Sequence, residues 1–405
     1  MTLEQYGDYF YLYILIISLI PAIILGILQK PIKYYGLFLS IMMIPLLMSH
    51  RFNDVYPMLA QKNIKGALKS GQIELILFII FLFVEIVIIK MYLEIRKKTD
   101  NKYIYYIFLL LSMVPLFIAK IAPITSIGAV GFIGLSYLNF KIIQMIIEIY
   151  DGALKEISLV RTLYFITFFP TLSSGPIDRY RRFDSDLNKV IGRKEYINDY
   201  LIRGIEYIFQ GILYKFIISA LISILWMDTI PKDITLYHGM NYMYSYSLYL
   251  FFDFAGYSAF AVGTSYILGV KTPINFNKPF LSKDMKEFWN RWHISLSRWF
   301  GDYIFSRFVL NNMRKKRFKN RISASHAGQI LTMFIMGLWH GFEAYYIIYG
   351  LYQGIALVLT DIFQRKSKFY KAHKKEKWFQ CVEIIITFHI ACFGLLIFSG
   401  YGFNK

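Results

Sequence analysis

The sequence predicts an all-α polytopic membrane protein, with about 11 transmembrane helices and additional interfacial helices, forming a single integral membrane domain over residues 1–405. Three observations predict it. Of the 405 residues, 56% are hydrophobic and 19% aromatic while only 18% are charged, and mean hydropathy is +0.44. Apolar runs of about 20 residues, the length a helix needs to cross the hydrocarbon layer, recur along the chain. The bases behind the net charge of +19 gather between those runs, as expected of short cytoplasmic connections. Such a balance in a soluble chain would suggest nucleic-acid binding. Here it suits the bilayer, anionic headgroups or an acidic protein instead.

The spans fall near 8–28, 34–50, 73–94, 103–120, 125–149, 156–171, 203–227, 241–268, 326–341, 343–362 and 379–400. The first, from Tyr9 to Leu28, lacks a basic start and a small-residue cleavage site, so it reads as a retained helix and not as a signal peptide. The sixth is short and ends at Pro170, which suits a re-entrant or tilted segment. No internal repeat or disordered linker is visible, which argues against an inverted-repeat transporter. The chain divides into an N-terminal helical part (1–150), a core (160–345) and C-terminal helices (346–405).

The bases also orient the chain. Arg96-Lys-Lys98 and the clusters at 179–194, 311–321 and 365–377 are expected on the cytoplasmic side, with the N-terminus outside. The basic content of 51–69 runs against this scheme. His340 then falls toward the outer half of the membrane, before a reversal at Gly341.

That histidine is costly where it stands. No charged residue occurs between Arg321 and Glu343, and the run Ile330-Leu-Thr-Met-Phe-Ile-Met-Gly-Leu-Trp-His340 ends on it. A charged imidazole there loses water and gains nothing from lipid, and its near-neutral pKa makes its protonation easily decided by surroundings. Two readings follow: a catalytic group, or a hydrogen bond across a helix interface. The segment 282–299 carries a second candidate, His293. Ser282 reads as an N-cap with Asp284 and Glu287 in the first turns. Met285, Phe288, Trp289, Trp292, Leu296 and Trp299 form an apolar stripe, and Lys286, Asn290, His293 and Ser297 a polar one. A continuous amphipathic helix is expected, lying in the interface or dipping into a cavity. Asp253 is another intramembrane ionisable group, with Tyr257 one turn away; a structural polar clamp is the favoured role. The remaining histidines (His50, His238, His326, His373, His389) lie near span ends, in loops or alone in apolar runs. Cys381 and Cys392 share a helix roughly 16 Å apart along its axis, too far for a disulfide, and no zinc pattern occurs. There is no Gly-x-Ser-x-Gly elbow, P-loop or His-Glu-x-x-His.

Five segments together, Pro170-Thr-Leu-Ser-Ser-Gly-Pro-Ile-Asp-Arg-Tyr180, Phe252-Asp-Phe-Ala-Gly-Tyr-Ser258, Asn275-Phe-Asn-Lys-Pro-Phe280, Phe288-Trp-Asn-Arg-Trp-His-Ile-Ser-Leu-Ser297 and Gly337-Leu-Trp-His-Gly341, resemble the membrane-bound O-acyltransferases. Their order and spacing are similar to the bacterial branch that D-alanylates teichoic acids. The resemblance covers roughly 160–345 and implies helices around a thin central wall, where an outer funnel and a cytoplasmic opening meet near His340. It implies catalytic roles for His340 and His293. Asn290, Ser297, Asp253, Tyr257, Ser173 and Ser174 would supply substrate-channel or structural polar groups. No cofactor bound by the chain and no metal are implied. The acyl group would arrive as a thioester on the 4'-phosphopantetheine of a D-alanyl carrier protein (DltC-like), steered by Arg314, Lys315, Lys316 and Arg317. DltD-like and DltX-like membrane partners and a lipoteichoic acid acceptor are further expectations, as is a Gram-positive cell membrane. A neutral His340 would take the proton of an acceptor hydroxyl while His293 or nearby groups polarise the carbonyl. An acetyltransferase for an exported polysaccharide, a proton-coupled transporter or flippase using His340 and Asp253, and a non-catalytic scaffold are the competing readings.

Overall fold

Apolar runs in lipid must satisfy their own backbone, and helices do so. The computed structural model describes residues 5–7, 9–48, 64–121, 131–231, 233 and 235–403, and no strand occurs among them. Two compact units interleave in sequence: Met1–Gly211 with Tyr257–Pro273, and Ile212–Gly256 with Ile274–Lys405.

The first unit contains α1 (Tyr9–Ile27), α2 (Ile32–Met48), α3 (Ile64–Lys98), α4 (Lys102–Ile121), α5 (Leu135–Tyr150), α6 (Leu159–Thr167), α7 (Tyr180–Asn188) and α8 (Arg203–Gly211). The centre is α5, buried on nearly every face. Several of its polar side chains reach partners on neighbouring segments, as burial favours. Asn139 donates to Ser112 O at 2.5 Å and Gln144 to Asp178 O at 2.7 Å. The Lys141 ammonium donates to Phe165 O at 3.0 Å and to Thr171 Oγ1 at 3.2 Å. It thus meets the carbonyls released where α6 stops and a 3-10 turn, Phe169–Thr171, begins with Pro170 inside it. The short sixth segment is real: α6 has nine residues, about 13 Å of helix, too little to cross. On one face of this unit Arg96 donates to Tyr150 O at 3.0 Å and Arg181 pairs with Glu148 at 3.2 Å. The clusters at 96–98 and 179–194 therefore share a side, as the charge pattern expects.

A long run, Arg193–Thr229, leads from the first unit into the second. It is α8 flanked by two π-helical stretches, Tyr196–Ile202 and Ile212–Ser219. Next come α9 (Leu236–Ile267), α10 (Met285–Arg291), α11 (Ile294–Phe300), α12 (Ser306–Arg314), α13 (Arg321–His340), α14 (Ala344–Lys366), α15 (Lys368–His373) and α16 (Lys377–Phe398). The hairpin of α13 and α14 is the tightest pairing in the second unit. Glycines permit it: a Cβ on Gly337 would overlap Tyr346 O, one on Gly350 would overlap Met333 O, and one on Gly354 would come within 2.8 Å of Ile330 Cα. Small residues at such crossings let backbones approach. At the far end of the hairpin His326 and Arg365 both meet Asp361, at 2.8 and 2.6 Å. The basic clusters at 311–321 and 365–377 thus lie on one side, and His340 at the other end of α13.

Six helices among the described residues are long and apolar enough to cross a membrane: Tyr9–Ile27, Glu74–Lys98, Lys102–Ile121, Arg193–Thr229, Ala344–Lys366 and Lys377–Phe398. α9 and α13, at 32 and 20 residues, are as long but less apolar. The span expected at 125–149 becomes α5; residues 125–130, His50 and positions 51–63 of the basic stretch lie outside the described residues.

The continuous helix expected over 282–299 is corrected. Asp284, not Ser282, is the N-cap, its carboxylate accepting from Glu287 N at 2.7 Å, while Ser282 is buried and donates to Pro279 O at 2.6 Å. The chain breaks at His293, which adopts φ 44°, so the apolar and polar stripes are each cut in two. The cause is the segment before it. Asn277 N donates to Arg291 O at 3.0 Å and Ile294 N to Asn275 O at 2.9 Å, replacing helical partners at the break. Nor is this a surface anchor. Met285, Phe288, Trp292, Leu296 and Trp299 are all buried in protein.

Candidate active site

α13 delivers His340 at its last position, and Gly341 follows as C-cap with extended backbone. A Cβ on Gly341 would overlap the Glu343 carboxylate and come within 2.6 Å of the Tyr346 ring, so the reversal after the histidine needs glycine. The imidazole is half-buried among aromatic rings. Trp339 lies at 4.6 Å between centroids and Phe398 at 4.8 Å, both edge-on, with Tyr346 stacked at 5.8 Å. These rings hold the imidazole in place and keep bulk water from its faces.

The break between α10 and α11 delivers His293. Its left-handed backbone is uncommon for a residue with a Cβ, and the neighbouring segment fixes it. Asn275 Oδ1 accepts from Ser295 Oγ at 2.6 Å and from Ser295 N at 3.3 Å, capping the start of α11. Phe254 meets the His293 ring edge-on at 4.8 Å and Phe276 stacks at 6.4 Å. His293 is 5% exposed. Burial pushes its pKa down to about 3, and His340, close enough to be felt electrostatically, pushes the same way. At neutral pH His293 is therefore an uncharged imidazole that can donate one hydrogen bond and accept another. The second unit so contains two imidazoles, His293 enclosed and His340 half-open.

The other residues singled out from sequence divide among several places. Ser297 donates to Trp292 O at 3.2 Å, across the break beside His293. Asn290 is exposed and lines a cavity of about 360 Å³ with Lys283, Lys286 and Lys374 on the basic side. Asp253 is ion-paired with Lys215. Tyr257, one turn on, faces the first unit's own network: it hydrogen-bonds Ser173 and donates to Gln5 Oε1 at 2.8 Å, while Ser173 donates to the same oxygen at 2.7 Å. Ser174 hydrogen-bonds Tyr137. Arg314 ends α12 and Lys315, Lys316 and Arg317 follow it, all four exposed, with Arg317 donating to Asn312 Oδ1 at 3.3 Å. Sequence reading overlooked Gln5, Lys215 and Gln353, whose Oε1 accepts from Trp289 Nε1 at 3.2 Å, and quoted Asn275 only within a motif, with no role of its own. Lys215 had a signal, a lone base in an apolar run. Gln5 had none, because its partner lies 168 residues away.

The described residues form helices apolar enough to cross a membrane, with one histidine at a backbone break and one at a helix end. The membrane-bound O-acyltransferase family (MBOAT) matches residues 65–401, and the chain belongs to it. It is similar to the teichoic acid D-alanyltransferase of Bacillus subtilis (strain 168), 44% identical over 99% of both chains. It is similar also to that of Streptococcus thermophilus, 38% identical over 98% of this chain and 95% of the relative. A probable alginate O-acetylase of Pseudomonas syringae is 30% identical over 65% of this chain and 48% of its own length.

Proposed function

We propose that this chain transfers D-alanine from a carrier-bound thioester toward teichoic acid, with His340 as general base. The observation that carries the chemistry is the His340 imidazole at the end of α13, half-buried among Trp339, Tyr346 and Phe398. End-to-end similarity to D-alanyltransferases supports the choice of acyl group and acceptor. A thioester is already activated, so the enzyme has to place an acceptor hydroxyl and remove its proton. The hydroxyl oxygen attacks the thioester carbonyl as its proton passes to His340. The carbon–sulfur bond then breaks, and the thiolate takes the proton from the imidazolium. The neutral His293 polarises the carbonyl as a hydrogen-bond donor. The phosphopantetheine arm belongs to a D-alanyl carrier protein, whose acidic surface the exposed bases at 314–317 attract. DltD-like and DltX-like partners, and a Gram-positive cell membrane, complete the reading.

Acetyl transfer is the second reading, favoured by the partial similarity to alginate O-acetylases. Purified protein in liposomes, offered D-alanyl-loaded carrier or acetyl-CoA, separates the two. The proposal expects turnover with the loaded carrier alone. Turnover with acetyl-CoA and none with the carrier would reverse it.

A further inference from the structure

One cavity in the first unit has no place in acyl transfer. It holds about 540 Å³ and opens at the start of the Arg193–Thr229 run. Its charged lining is balanced: Arg203 and Lys271 against Asp199 and Glu206, with Tyr207 and Tyr266 as walls. Those two rings meet edge-on at 5.6 Å.

The cavity is built into the fold. It lies along the π-helical stretch Tyr196–Ile202 and the α8 that follows it, and π turns inside helices frequently mark functional sites. Lys271 is fixed at its backbone, where its N–H donates to Asp186 Oδ2 at 2.9 Å and its carbonyl accepts from Arg182 at 2.5 Å. These contacts also put the cavity beside the 179–194 cluster, on the side assigned to the cytoplasm. Its charges are held by exchangeable contacts, the Lys271 ammonium lying 4.5 Å from the centre of the Tyr200 ring. Arg203 and Glu206 meet at 2.8 Å but both are more than half exposed, and such a pair is easily exchanged for another.

Beside the charges, and on past them at Phe209, the helix is apolar toward its surroundings. Ile202, Ile205 and Phe209 are exposed at 45, 41 and 67%, following one another at helical spacing. A balanced charged cavity at the head of an exposed apolar stripe has the layout of a phospholipid: headgroup first, chains beyond. We propose that this cavity binds a zwitterionic phospholipid of the cytoplasmic leaflet. Its phosphate lies between Arg203 and Lys271, its ammonium between Asp199 and Glu206, and its chains along Ile205 and Phe209. The two carboxylates decide against an anionic headgroup, whose negative charge they repel. Tyr207 and Tyr266 offer ring faces to the ammonium.

Full-length protein exchanged into bilayers of equal phosphatidylethanolamine and phosphatidylglycerol, then stripped to tightly held lipid and read by mass spectrometry, tests this. Wild type should retain phosphatidylethanolamine about fivefold over phosphatidylglycerol. Arg203→Ala with Lys271→Ala should bring retention to the bilayer ratio. Asp199→Asn with Glu206→Gln should shift it toward phosphatidylglycerol while leaving thermal unfolding unchanged. Equal retention of the two lipids by wild type, or a preference untouched by both double variants, would overturn the site. Displacement of the lipid by millimolar inorganic phosphate alone would make it a free-anion site and overturn the lipid assignment too.

Discussion

His340 and His293 differ in what their surroundings allow. His340 sits at a helix end, half-enclosed by Trp339, Tyr346 and Phe398, whereas His293 is enclosed and its pKa is lowered to about 3. An unfolded histidine titrates near 6.5, so His293 contributes stability that is complete above about 6.5 and is lost as pH falls toward 3. Thermal unfolding in detergent should show it. Wild type should lose stability between pH 6.5 and 4, and His293→Phe should lose less over the same interval. Parallel losses would mean that the imidazole titrates no differently when folded. Both histidines were legible in sequence, His340 as an ionisable group ending an apolar run and His293 on a polar stripe within a family motif. The left-handed backbone of His293 was not, because its cause, Asn275, stands 18 positions earlier and acts through tertiary contact.

Glycines and one asparagine set the geometry of the site's elements. Gly337 and Gly350 let α13 and α14 approach until a Cβ at either would overlap the opposite backbone. Gly337→Val should therefore destabilise by about 1–3 kcal/mol and lower activity without touching substrate, seen as a lower Tm together with reduced turnover. An unchanged Tm would mean that the hairpin is looser than described. Asn275→Ala should leave the buried Ser295 hydroxyl and N–H short of an acceptor, a loss of about 1–3 kcal/mol. It should lower kcat more than Asn290→Ala, which alters an exposed side chain. Periodicity located the helices well, since apolar runs in lipid have little alternative to a helix. It misread 282–299, where the apolar spacing fits either one surface helix or two buried ones. Only the partners at Asn275 and Asn277 decide between them.

At the scale of the whole molecule, two sets of basic clusters share a side within their own units, 96–98 with 179–194 and 311–321 with 365–377. That charge would attract an acidic carrier as well as orient the chain. Arg314→Glu with Lys315→Glu, both exposed, should weaken carrier binding about tenfold at low salt, with the difference shrinking as salt screens it. Equal affinity at low salt would leave those bases with topology alone. The charge pattern was readable because it obeys a rule of short loops, and the family because its motifs are local. The Gln5–Ser173–Tyr257 network was not, because it ties the N-terminus to segments far along the chain. The central claim is that His340 performs the proton transfer. Its most direct measurement is D-alanyl transfer by purified protein in liposomes with loaded carrier, comparing wild type with a correctly folded His340→Ala. The expected loss is about 10²- to 10⁴-fold, the range for removing a general base, with carrier affinity unchanged. Transfer at the wild-type rate by the folded variant would contradict it.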